Sequence, residues 1–222
     1  EEYDSDVTGI EALGTIKVNS LIMHSCELGP KAVTALSSIL ATAGVERMDV
    51  LGNPMGDSIE LLIDVFLKTE RIRTICGIAE GTVQLDMSKR NLSPTDVRLL
   101  AADLSATRAT AGLVRVDISG NSIGSDGGKA LISVLPSSSI KSLKIGRSFE
   151  ISTEKYEETA VDCSKQDFGP GEVIVLSWWL STEVTAGVEV VDISENMITG
   201  SVRAKIDGSW QDVLDEDMTG LV

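Results

Sequence analysis

Cysteine, histidine, positive charge and long apolar runs are all in short supply in this chain of 222 residues, and each shortage closes off a class of function. The three cysteines, Cys26, Cys76 and Cys163, are too few and too scattered for a disulfide framework, and no two stand at metal-ligand spacing. That usage points to a reducing, intracellular setting such as the cytoplasm. No apolar run approaches the roughly 18 residues of a membrane span, and the start, EEYDSDVTG, carries neither a basic nor an apolar targeting segment. Lysine and arginine number 19 against 34 aspartates and glutamates, a net charge of −15. A nucleic-acid backbone or an anionic membrane would repel such a chain, so a basic or neutral protein partner is expected.

Catalytic patterns are equally thin. The single histidine, His24, has no serine or cysteine at a recognisable motif spacing, and no carboxylate pair is set in apolar surroundings that would tune one as an acid. GSDGG (124–128) is not followed by the lysine of a phosphate loop. The DxDxTG phrases at 4–9 and 215–220 match only the first half of an EF-hand loop, so no metal is expected; Thr8 to Glu11 reads instead as a capping box opening a helix. The sequence therefore predicts no enzyme and no cofactor.

What the chain does have is a recurring phrase. VRVDISGN (114–121) returns as VEVVDISEN (188–196) and loosely as VQLDMSKRN (83–91). Each copy sets an inward apolar pair two residues apart, then a polar or small residue, then a final apolar one. Further copies run through Leu21, Met48 and Val161, with weaker ones at Ile72 and Ile140. Between most copies apolar residues recur at helical spacing. Gly29-Pro30, Ser93-Pro94 and Gly169-Pro170 mark helix starts, and Ala43-Gly44, Ala111-Gly112 and Ala186-Gly187 mark helix ends.

Strand, turn and helix repeating about every 27 to 31 residues resembles the leucine-rich repeats of the ribonuclease-inhibitor-like class, with VDISGNSIGSDGGKALISVL (116–135) the best copy. The resemblance implies an α/β solenoid of about seven to eight repeats filling 1–222 as one domain, with a parallel sheet on a concave face and helices on a convex face. It also implies turn asparagines that satisfy backbone groups; Cys26 is an accepted substitute there, whereas Arg90 and Gln166 depart from the pattern. Two links, 77–87 and 145–163, are too short for a helix. The likeness of the two chain ends implies an array continued by neighbouring repeats or chains that cover its open ends.

On such a sheet Asp49, Asp86, Asp117, Asp162 and Asp192 would form one outward row. Strands about 4.8 Å apart would set like charges repelling by about 1 kcal/mol, with Arg47, Arg115 and Lys144 as internal compensation and Gln84 beside them. Asp followed by Ser is also ordinary in these repeats, so the row has a purely structural reading beside the binding one. Trp178 is expected between helix and sheet, Trp179 nearer the convex surface, where its spacing from Val175 fits helix-to-helix packing ahead of a partner contact, and Cys76 facing outward. The reading is a non-enzymatic interaction scaffold; a spacer in a large assembly and a GTPase regulator, given that Ran GTPase-activating proteins share this repeat class, are the alternatives.

Overall fold

The computed structural model describes residues 4, 6–199 and the backbone of 202–206 and 209–213. In chain order the elements are α1 (Thr8–Ala12), β1 (Ser20–Ile22), α2 (Pro30–Leu40), β2 (Arg47–Asp49), α3 (Ile59–Lys68), β3 (Gln84–Asp86), α4 (Pro94–Ala106) and β4 (Arg115–Asp117). There follow α5 (Gly124–Val134), β5 (Ser142–Lys144), β6 (Glu150–Ser152), β7 (Ala160–Asp162), α6 (Pro170–Leu180), β8 (Val190–Asp192), β9 (Val202–Ile206) and β10 (Ser209–Val213). Pro30, Pro94 and Pro170 each open a helix, where the missing N–H would have no partner in any case. The capping box expected at α1 is replaced by Asp6, whose carboxylate accepts the Thr8 N–H at 2.9 Å. The second DxDxTG phrase lies outside the described residues.

The expected solenoid is not what the chain builds. Instead of one continuous parallel sheet, the described residues form four separate ones: β1–β2, β3–β4–β5–β6, β7–β8 and β9–β10. Pairing is parallel within β1–β2, β3–β4–β5 and β7–β8, but β6 folds back antiparallel on β5 and β9–β10 is an antiparallel hairpin. The ladder fails at the two helix-less links. Residues 74–76 make only isolated bridges to Arg47 and Asp49, and the second link supplies the reversed strand β6. The chain also divides into two compact units, Glu1–Thr82 with Arg98–Gly112, and Val83–Val97 with Leu113–Val222.

In the first unit, Val33, Leu36 and Leu40 of α2 and Ile59, Leu62 and Phe66 of α3 meet Met48, Val50 and Ile75 in the core. Leu61, an apolar residue of the helical pattern, is exposed; Ile59 is buried in its stead. The helix ends differ from expectation too. Gly44 and Gly112 are not in the left-handed conformation, and arginines take the terminal carbonyls. Arg71 donates to Leu40 and Ala41, and Arg108 donates to Phe66, Leu67, Thr69 and Ile72 while lying 4.9 Å over the Phe66 ring. Cations suit a helix C-terminus because its free carbonyls carry partial negative charge.

The segment at 74–76, just ahead of the first bare link, is held from α4. Asp103, buried, accepts the Thr74 hydroxyl at 2.7 Å and the N–H groups of Ile75 and Cys76 at 3.1 and 3.0 Å. Burial pushes the Asp103 carboxyl up to about 6, against these hydrogen bonds, which pull it down. The expected outward Cys76 is corrected here: its backbone is drawn to Asp103 and its side chain is buried, leaving Cys26 as the exposed thiol.

In the second unit Val116, Ile118, Leu143, Ile145, Val161, Cys163 and Phe168 are buried, together with Leu131 of α5 and Val175 and Leu176 of α6. Helices α5 and α6 approach to backbone contact. A Cβ on Gly128 would stand 2.6 Å from the Gly171 carbonyl oxygen, so only glycine fits. At the start of α4, Ser93 and Asp96 cap each other's N–H groups at 3.2 and 2.9 Å. In α6 the buried Glu172 accepts the Gly169 N–H at 2.9 Å, and burial raises its carboxyl to about 7.

One turn design recurs in both units. Asn53 accepts the N–H groups of Cys26 and Leu28 at 2.9 and 3.0 Å and donates to the carbonyls of Met23 and Val50. Asn121 does the same for Arg90, Leu92, Met87 and Ile118, and Asn196 for Gln166, Phe168, Cys163 and Ile193. The turns at Arg90 and Gln166 are therefore regular despite lacking asparagine, because the next asparagine reaches back to them. Each is flanked by left-handed residues (Ser25 and Glu27, Lys89 and Asn91, Lys165 and Asp167) that aim alternate N–H groups at one oxygen.

Two outcomes are expected. Asn53→Ala removes the buried side chain that serves the N–H groups of Cys26 and Leu28 and the carbonyls of Met23 and Val50, and should destabilise the first unit by about 2–3 kcal/mol in urea unfolding; a change within error would show that the turn relaxes. The pH dependence follows from Asp103 and Glu172, whose folded values of about 6 and about 7 stand above the ordinary 3.8 and 4.5. The folded state binds these protons more tightly, so stability falls as pH rises through that window and levels off above it. Urea midpoints should be higher at pH 5 than at pH 7.5, and Asp103→Asn with Glu172→Gln should flatten the difference.

Candidate functional site

The predicted binding residues fall into three groups. In the first unit, Arg47 and Asp49 border a small cavity of about 90 Å³ with Ser20, Ile22, Met48 and Gly77. Arg47 donates to the Gly77 carbonyl at 3.4 Å, thirty residues on, and Asp49 accepts the Leu51 N–H of its own turn at 3.2 Å.

In the second unit, parallel register sets Gln84 beside Arg115 and Asp86 beside Asp117, which has Lys144 on its other side. Lys144 binds the Asp117 carboxylate at 3.0 Å, and Arg115 binds Glu150 of β6 at 2.6 Å. Burial pushes Asp117 up, but the Ser119 hydroxyl and N–H and Lys144 outweigh it and hold the carboxyl below its ordinary value. The Ser88 N–H and hydroxyl lower Asp86; Asp117 opposes this weakly and Lys144 assists. Much of this charge is thus neutralised within the sheet.

Asp162 and Asp192 stand directly opposite each other on β7 and β8, on a sheet separate from Asp86 and Asp117. They border an open hollow of about 550 Å³ with Glu150, Glu158, Phe149, Tyr156 and Val190. Hydrogen bonds from Ser164 lower Asp162, and those from Ser194 lower Asp192, so both carboxylates are charged at neutral pH. Like charges in adjacent strands repel, and a cation placed between them relieves that repulsion. Asp162, Asp192 and Glu158, beside a Glu150 already held by Arg115 and Ser142, can hold a cation with an aliphatic stem against the partly apolar walls.

The hollow owes its far wall to the second helix-less link. Gln166, which departs from the asparagine pattern, accepts the N–H groups of Ser148 and Phe149 at 2.9 and 3.1 Å and so fixes the start of the reversed segment. Sequence reasoning marked Asp162 and Asp192 but missed Phe149, Glu150, Tyr156 and Glu158. The charged stretch STEKYEE (152–158) was the available signal, although its fold-back could not be read from spacing.

Of the two readings of Trp179, packing is the one that agrees with its burial, and Trp178 lies nearer the surface than expected. Trp179 is 3% exposed rather than a convex contact. Its Nε1–H donates to the Ser152 carbonyl at 2.8 Å, and its ring meets Phe149 and Tyr156 edge-on with centroids 5.9 and 5.5 Å apart. Trp178 is the more exposed of the two. His24 lies in an exposed turn, with Nδ1 3.2 Å from the Ser25 hydroxyl. Among the described residues no group of three or more His, Cys, Asp or Glu side chains gathers as a metal cage, and no helix is long and apolar enough to cross a membrane.

Lys144 lowers both neighbouring carboxyls, so Lys144→Ala should raise the pKa of Asp117 and, less, of Asp86 when side-chain carbons are titrated by NMR; unchanged values would show that serine hydrogen bonds alone set them. A scan of known protein families finds no match to the chain, and a search of curated proteins finds no relative.

Proposed function

We propose that the chain is a non-catalytic protein-interaction module and that the hollow between β6, β7 and β8 receives a basic segment of a partner protein. The observation that carries this reading is the placement of Asp162, Asp192 and Glu158 around one open, partly apolar concavity. A lysine or arginine entering it would lay its stem along Phe149, Tyr156 and Val190 while its charge sits among the carboxylates. The net charge of −15 steers basic partners toward the chain and opposes nucleic acid and anionic lipid. The hollow is fixed by strand pairing, Gln166 and Trp179, so little ordering of the module would oppose binding.

Screening the chain against an array of peptides of varied charge tests the reading. Arginine- and lysine-bearing peptides should bind best and weaken as salt rises. Asp162→Lys with Asp192→Lys should reduce their affinity by at least about tenfold, whereas Asp49→Lys should not. Preference for acidic or neutral peptides, or indifference to the double substitution, would sink the assignment.

A further inference from the structure

A second cavity in the second unit has the opposite character. It measures about 310 Å³ and is walled by Leu135 and Pro136 after α5, Ile151 of β6, and Trp178 and Trp179 of α6. Its origin is visible in the packing. The N-terminal turns of α5 and α6 are in backbone contact at Gly128 and Gly171, whereas the C-terminal ends of the same helices face the β5–β6 hairpin, where the link has no helix to fill the space.

Its polar complement is simple. Ser138 donates to the Leu135 carbonyl, Ser142 to Glu150, and Thr182 to the Trp179 carbonyl, so these lining hydroxyls are committed within the protein. Lys141 is the one ionisable side chain among the lining residues, and no carboxylate lines the cavity, in a chain where acids outnumber bases 34 to 19. An apolar chamber with a single charged group is the usual make-up of a small-molecule site, the apolar wall supplying affinity and the charge fixing orientation.

We propose that this cavity binds a small monocarboxylate whose apolar body lies against Trp178 and Trp179 and whose carboxylate pairs with Lys141. At about 30 Å³ per water-sized group, the volume of about 310 Å³ suits a ligand of about ten non-hydrogen atoms. Octanoate has that size and chemistry. A cationic amphiphile of equal length is disfavoured by Lys141, and a neutral one lacks the ion pair.

The test is a titration of the full chain with octanoate, octanol and octylamine at physiological ionic strength, following the indole N–H signals of Trp178 and Trp179 by proton–nitrogen NMR. Trp178→Phe and Trp210→Phe variants identify the signals. Octanoate should shift both saturably and bind roughly tenfold tighter than octanol, as one charge-assisted hydrogen bond implies, with octylamine weakest. Lys141→Gln should bring octanoate down to octanol while leaving octanol unchanged, and Val184→Phe, which fills the chamber, should weaken both, in variants whose remaining NMR spectrum matches that of the parent. Non-saturable shifts, equal binding of octylamine and octanoate, or an octanoate affinity unmoved by Lys141→Gln would overturn the assignment.

Discussion

Every turn in this protein must find partners for backbone N–H and carbonyl groups that no helix or ladder satisfies, and the way it does so governs both units. Asn53, Asn121 and Asn196 each serve two donors of the preceding turn and two carbonyls. Leaving such groups unmet costs on the order of 1–3 kcal/mol apiece, so the asparagines fix turn geometry more firmly than three-residue strands could. The left-handed residues flanking the served N–H groups are tolerated because those hydrogen bonds offset their strain.

Where the repeat loses its helix the same need is met from farther along the chain. Asp103 of α4 satisfies the segment at 74–76 that leads into the first bare link within the first unit, and Trp179 of α6 donates to Ser152 of the reversed segment within the second. The two residues hold equivalent places in their helices but opposite hydrogen-bonding roles, acceptor for exposed N–H groups and donor for an exposed carbonyl. A charged acceptor must be buried to do this, which lifts the Asp103 carboxyl toward neutrality; the indole carries no such burden and adds ring packing instead. These pins stabilise links that interrupt the sheets rather than extend them.

The interruption also redistributes charge. Folding β6 back against β5 brings Glu150 to Arg115, and register brings Lys144 to Asp117, so the central sheet compensates itself. Asp162 and Asp192 have no arginine or lysine opposite them in register. These two carboxylates, with Lys165 as their nearby cation, border the hollow, while the apolar chamber behind the hairpin keeps one lysine. Both features come from the same short link.

Period-two apolar pairs and proline placement were enough to locate β1 to β4, β7, β8 and the starts of α2, α4 and α6, because strand alternation and a fixed proline φ are local properties. The asparagine positions were legible for the same reason. Helix ends were not, since Arg71 and Arg108 reach their carbonyls across about thirty residues or more. Nor was the continuity of the sheet: repeated phrases fix each strand, but whether adjacent strands pair depends on what the connecting link does in three dimensions. The 145–163 link chose reversal, and that choice, invisible in spacing, buried Trp179, broke the acidic row and made both cavities of the second unit.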